Sequence, residues 1–206
     1  NLLSRACINL LTKILMFHTR VVGSKQISGI KSGAIVTSNH FNPLENMAVR
    51  MAVQKAQHKR LAFVSQPTNL KMPGLLGFLV SFGDVVPLSA SMHYMNRDFP
   101  RLLEEHIKKG HNVLIYPEQE MWFNYKKPRP VKRGPYYYAA RMNVPVISCF
   151  VEIRDLGVPD NDQFNKVRYT IHILAPIYPD PNLTVTQNSM WMMKRDYEQK
   201  KAAYEK

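Results

Sequence analysis

Cysteine is nearly missing from this chain, with only Cys7 and Cys149 in 206 residues. Two residues so far apart make neither a disulfide framework nor a metal-ligand spacing, and they fit a reducing compartment. The histidines are no better placed for a metal. His18, His58, His93, His106, His111 and His172 show no i,i+4 pair, so no metal is expected. Long apolar runs are also absent. Residues Leu2 to Phe17 carry apolar side chains at helical spacing, but Arg5 and Lys13 interrupt them, and Lys71 to Phe82 is too short to cross a bilayer. Repeats and low-complexity tracts are missing too, which excludes solenoids and linker-like chains. Acidic charge is scarce: 15 Asp and Glu stand against 28 Lys and Arg, a formal net charge of +13. Such a surface attracts phosphate-bearing polymers, anionic lipid headgroups or acidic proteins.

What is present is enough for one domain with a sizeable core, since 45% of the chain is hydrophobic. The sequence opens on Asn1 rather than methionine, which leaves any signal or anchor upstream unread. Residues 1–20 read as an amphipathic helix lying in a membrane interface, and equally as a helix packed on the core. Residues 21–206 form the main domain, in which short apolar runs alternate with helical patterns. Strands are expected at Val21 to Ile27, Ala34 to Ser38, Leu61 to Ser65, Asn112 to Tyr116, Val144 to Val151 and Lys166 to Leu174. Val85 to Leu88 is a strand that Pro87 pushes to an edge. Helices are expected from Pro43 to about Ala56, over 71–82 as a buried element, and at Pro135 to Met142 and Thr186 to Tyr204. Asp98 to Lys109 is the clearest helix, with Glu104/Lys108 and Glu105/Lys109 as i,i+4 pairs. Asp155 to Asn165 reads as a polar connection.

His40 falls where the second strand hands over to a helix, the place where open α/β sheets put ligands. Glu45, one turn inside that helix, can swing back to hold the imidazole tautomer while the other nitrogen takes a proton. No serine or cysteine nucleophile stands beside it, so the hydroxyl to be activated is one that the substrate brings. Asn42 and Glu45 with Pro43 also make a plain helix-capping pair, which needs no chemistry.

A second polar cluster follows the strand ending at Tyr116: Pro117, Glu118, Gln119, Glu120, Met121 and Trp122. It reads as part of the His40 edge, or as loop acids paired with nearby lysines. Lys126, Lys127, Arg129, Lys132 and Arg133 then place five positive charges within a stretch stiffened by prolines. Phosphate suits such a loop, and so does plain solubility.

Taken together, Asn39 to Glu45, Phe82 to Ser89, Tyr116 to Trp122 and Val144 to Ser148 resemble the lysophospholipid acyltransferase family typified by 1-acylglycerol-3-phosphate acyltransferases. That family carries Asn-His-x4-Asp, a Gly-centred block, Phe-Pro-Glu-Gly-Thr-Arg and Val-Pro-Val-Ile-Pro, in this order. The resemblance implies an α/β fold with a central, mostly parallel or mixed sheet flanked by helices, on a cytoplasmic membrane face, peripheral or monotopic. It implies transfer of a fatty acyl group from acyl-CoA or acyl-carrier protein to a hydroxyl of a lysophospholipid or related glycerolipid or glycolipid, with no further cofactor. His40 is then the general base and Glu45 its orienting acid. Asn39, Glu118 and Glu120 bind the acceptor, and the basic loop binds phosphate. Ser89 and Met121 replace two arginines that usually grip phosphate, so the loop takes over that role or the acceptor is not a simple glycerol phosphate.

Two other functions fit the residues alone. One is an RNA-binding module built on the basic loop with Tyr125, Tyr136, Tyr137 and Tyr138 for stacking. The other is a lipid ester hydrolase using water. The resemblance favours the acyltransferase acting at an anionic membrane surface, with no nucleic-acid partner.

Overall fold

The computed structural model describes residues 19–42, 45–68 and 84–206. The helix expected over residues 2–17, Pro43 as helix opener and the apolar segment 71–82 lie outside the described residues. The elements are β1 (Arg20–Val22), β2 (Ile35–Thr37), α1 (Glu45–Gln57), β3 (Leu61–Ser65), β4 (Val85–Pro87) and α2 (Phe99–Lys108). They continue as β5 (Asn112–Leu114), α3 (Gly134–Arg141), β6 (Val146–Pro159), β7 (Asn165–Ile173) and α4 (Val185–Tyr204).

The strands form one seven-stranded sheet in the order β1-β7-β6-β2-β5-β3-β4. All neighbours pair parallel except β6 and β7, so the sheet is mostly parallel and mixed, as expected. Period-two alternation divides the side chains between two layers. Val36, Phe63, Leu114 and Ile147 pack with Met47, Val49 and Val53 of α1 on one face. Ile35, Val64, Val113 and Val146 meet Phe99 and Leu103 of α2, Tyr136 of α3 and Met192 of α4 on the other. A strand buried on both faces reads as an unbroken apolar run, which is why β2, β3 and β5 were legible. Pro87 lies in β4 at the open edge of the sheet, where its missing N–H costs no ladder bond.

Several boundaries differ from the sequence expectation. The first strand stops at Val22, because Gly23 turns at φ +86 into a 3-10 turn over Ser24–Gln26. A Cβ at Gly23 would stand 2.0 Å from the Ile173 carbonyl oxygen, so only glycine fits. A wide turn over Tyr94–Asp98 precedes α2, whose Pro100 offers no N–H for a regular first turn. Glu105 pairs back to Arg101 at 3.9 Å instead of forward to Lys109, which already sits at the helix C-cap. Residues Asp155 to Pro159 are not a polar connection but the outer part of β6, paired with β7 as an exposed hairpin arm.

Strand β2 lies directly between β5 and β6 and runs parallel to both. The segments that leave β2 and β5 therefore emerge at the same sheet edge, which brings 38–42 beside 115–118.

Candidate active site

The imidazole of His40 is anchored from two sides. Nδ1 donates to Oε1 of Glu45, whose side chain is only 1% exposed. In a neutral ring this leaves Nε2 as the basic nitrogen. The ring lies flat against Tyr116, with centroids 4.1 Å apart and planes 11° from parallel. Tyr116 was missed as a site residue, although it immediately precedes the Pro117-Glu118 signal. Its buried phenol beside Glu45 is held well above the usual tyrosine range, first by burial and then by that carboxylate.

Glu45 resolves the choice between capping and orienting by doing both with different oxygens. Oε2 accepts from the backbone N–H of Phe41 at 2.5 Å and of Asn42 at 2.9 Å, while Oε1 holds His40. The glutamate is one methylene longer than the aspartate of the resembled motif, and it spans both tasks from the first residue of α1. Burial pushes its carboxyl above the usual range, against the His40 imidazole and the two amides that favour the anion.

A raised folded-state value stabilises the protein fully below the unfolded value, and that contribution is lost as pH rises through the folded one. Glu45→Gln keeps an acceptor for the two amides but removes the ionisation. Its thermal midpoint is expected to match or exceed that of the wild type on the high-pH side, while turnover is expected to fall about 10²- to 10⁴-fold from loss of the tautomer. Melting both proteins across pH checks the sign. A wild type that gains on the variant as pH rises would contradict it.

Around this core the backbone is clamped. The His40 N–H donates to Glu118 Oε2 at 3.2 Å, and the His40 carbonyl accepts from Trp122 N–H at 3.1 Å and from Arg129 at 3.3 Å. Both oxygens of Glu118 are taken, because Arg129 adds its own N–H and its guanidinium. Glu118 and Arg129 are 8% and 7% exposed. Expected as acceptor and phosphate ligands, they form here a buried ion pair that fixes the His40 loop. Asn39 was also expected at the acceptor. Its buried amide exchanges two hydrogen bonds with Val151 of β6, at 3.0 and 2.8 Å, and ties that loop to the sheet.

The other expected ligands stay at the surface. Glu120, Lys126, Lys127, Lys132 and Arg133 are exposed. Of these, Glu120 and Lys132 line a cleft of about 380 Å³ together with Gln119, Trp122, Tyr125 and the edges of Glu118 and Arg129. The Arg129 guanidinium stacks on Trp122, 4.5 Å from the ring centroid. Met121, which stands where the resembled block has arginine, stays exposed. Gln119 adopts φ +65 where the resembled block has glycine. That left-handed turn is what a glycine accepts freely and a glutamine only at some cost. Ser89 makes no arginine-like reach, and its hydroxyl accepts from the Ser91 N–H at 3.1 Å.

Among the described residues the one cysteine offers no nucleophile to compete with a substrate hydroxyl. Cys149 is buried in β6, and burial pushes its thiol up to about 12, which keeps it protonated and inert. Among the described residues no cluster of His, Cys, Asp and Glu suits a metal ion.

The sequence matches the family model described as Acyltransferase over residues 18–152, more than half of the chain. The chain belongs to the acyltransferase family. The matched region of this acyltransferase contains His40, Glu45, Tyr116, Glu118 and Arg129, so the resemblance read from the motif blocks is borne out. The fold of this acyltransferase is also that of a crystal structure described as the 1-acyl-sn-glycerophosphate (LPA) acyltransferase, PlsC, from Thermotoga maritima. The TM-score is 0.69 at 19% identity, covering 96% of this chain and 77% of the other. No curated protein matches the sequence.

Proposed function

We propose that this acyltransferase moves a fatty acyl chain from acyl-CoA or acyl-carrier protein to a free hydroxyl of a lysophospholipid or related glycerolipid or glycolipid. The acceptor is held at a cytoplasmic membrane face. The observation that carries the reading is the fixed imidazole, with Nδ1 occupied by a buried carboxylate and the ring held flat on Tyr116. Nε2 takes the acceptor proton as the acceptor oxygen bonds to the thioester carbonyl carbon. The tetrahedral intermediate then expels the thiol, which leaves with the proton returned from Nε2.

The cleft walled by Glu118, Trp122 and Arg129, which also bond the His40 backbone, supports a headgroup with both a phosphate and hydroxyls, because its exposed charged groups are one cation, Lys132, and one carboxylate, Glu120. The Thermotoga maritima protein, whose title names a glycerophosphate acceptor, agrees with that class. The test is incubation with each donor and a panel of lysolipids, glycolipids and glycerol phosphates, with products read by mass spectrometry. Acylated acceptor and free thiol in equal amounts are expected. Free fatty acid accumulating with no acylated acceptor would make the protein a thioesterase or lipid hydrolase.

A further inference from the structure

We infer that loop 121–125 and the outer arm of the β6–β7 hairpin together form the face on which this protein sits on an anionic lipid bilayer. The inference rests on the membrane acceptor of the preceding reading and adds the surface that meets it.

Soluble surfaces scatter their apolar side chains singly, whereas contiguous ones mark contact sites. Trp122, Phe123, Tyr125, Leu156, Val158 and Phe164 are six of the fourteen large hydrophobics exposed among the described residues, and they fall in two short stretches. The stretches touch. The rings of Phe123 and Phe164 meet edge to face with centroids 5.1 Å apart, and Trp122 and Tyr125 do the same at 5.3 Å. From Arg154 to Pro159 every residue of β6 is exposed, so the arm stands clear of the protein on both of its faces.

Charge selects the occupant. Along 120–133 and 154–168, exposed Lys and Arg outnumber exposed Asp and Glu seven to four, Arg129 being buried on Glu118. Arg154 and Arg168 are direct cross-strand partners. Like charges directly opposite one another destabilise a ladder, and no carboxylate forms an ion pair with either arginine among the described residues. A sheet of lipid phosphates relieves that repulsion, while the aromatics between the charges suit the headgroup–acyl boundary. The Asp160 and Asp162 pair at the hairpin turn lowers the positive balance without reversing it. Position completes the argument. Trp122 N–H and Asn124 N–H bond the carbonyls of His40 and Phe41 at 3.1 and 3.0 Å, so the loop that meets lipid is strung directly on the base.

The experiment is flotation of the purified chain with vesicles of phosphatidylcholine, with and without phosphatidylglycerol. Phe123→Ser/Phe164→Ser is expected to weaken partitioning into the anionic vesicles about tenfold or more. Arg154→Gln/Arg168→Gln is expected to weaken it about fivefold or more and to flatten its salt dependence. Both variants alter exposed side chains, keep the wild-type melting temperature, and acylate a detergent-dispersed acceptor at the wild-type rate. Residues 1–18 are common to all the proteins, so whatever they contribute to binding is constant across the comparison.

Unchanged partitioning of both variants overturns the inference. So does a wild type that is dimeric without lipid and variants that become monomeric yet still float, since the face then belongs to a second copy. Flotation needs no turnover. Absence of acyl transfer with every donor would therefore defeat the proposed reaction while leaving the docking face to be decided by the vesicles.

Discussion

His40→Ala is expected to lower acyl transfer by about 10²- to 10⁴-fold, the range for removal of a positioned general base. On the proposed mechanism the loss falls on kcat and leaves binding of the donor nearly unchanged, because the imidazole would act on a proton and not on the acyl chain. The fold survives. The His40 side chain is 23% exposed, and the Glu45 carboxylate that it leaves behind keeps the Phe41 and Asn42 amides. Thermal midpoints of the two proteins within a few degrees, measured beside the rates, separate lost chemistry from lost structure. A variant that retains near wild-type turnover would sink the base assignment, and with it the step written above.

The largest effect on stability is expected at a place that the chemistry does not use. Asp196 and Lys200 on α4 are 0% and 1% exposed, and their charges meet at 2.8 Å beneath the sheet. Asp196 Oδ2 also accepts from Thr37 at 2.9 Å and Tyr136 at 2.5 Å, and Lys200 donates to Thr37 at 3.0 Å. Thr37 is the last residue of β2, three positions before His40, so the network bolts the C-terminal helix to the strand that carries the base. Lys200→Met removes one partner and strands a buried carboxylate, at a cost of about 3–5 kcal/mol. For a domain of this size that lowers the thermal midpoint by about 10 °C. Adding Asp196→Asn to Lys200→Met removes the orphaned charge while keeping an acceptor for Thr37 and Tyr136, and should recover part of the loss. Denaturant unfolding of the single and double variants checks the order. A Lys200→Met protein as stable as the wild type would show that the pair contributes nothing to holding α4.

Asp196 Oδ1 has no protein partner among the described residues, so the network is imperfectly satisfied and a hydrophobic replacement of the whole cluster need not destabilise. Its consequence is positional: it fixes how α4 lies across the sheet. Nothing in the 3.6-residue pattern of α4 announces this. Asp196 and Lys200 read as an ordinary i,i+4 surface pair until the helix is docked.

The hairpin arm shows the converse limit. Its residues from Asp155 to Pro159 carry glycine, proline and acid, all poor strand formers, and it has no buried face to impose alternation. Pairing with β7 overrides these preferences, and only the fold reveals that pairing. The basic loop shows a related limit. Five cations in a row look equivalent, yet the chain path turns Arg129 inward to Glu118 and leaves Lys126, Lys127, Lys132 and Arg133 in water.

By itself the sequence determined the alternating α/β order, the buried strands and the family, and placed His40 and Glu45 within reach of each other, because each is written in local patterns: β-branched runs, a strand-to-helix handover and motif blocks in fixed order. Tertiary structure alone decided that Glu118 and Arg129 neutralise each other, that Asn39 braces the sheet, that Tyr116 backs the imidazole, and that two distant stretches share one apolar face. Those facts depend on which segments emerge beside which at the sheet edge, and spacing along the chain does not carry that distance.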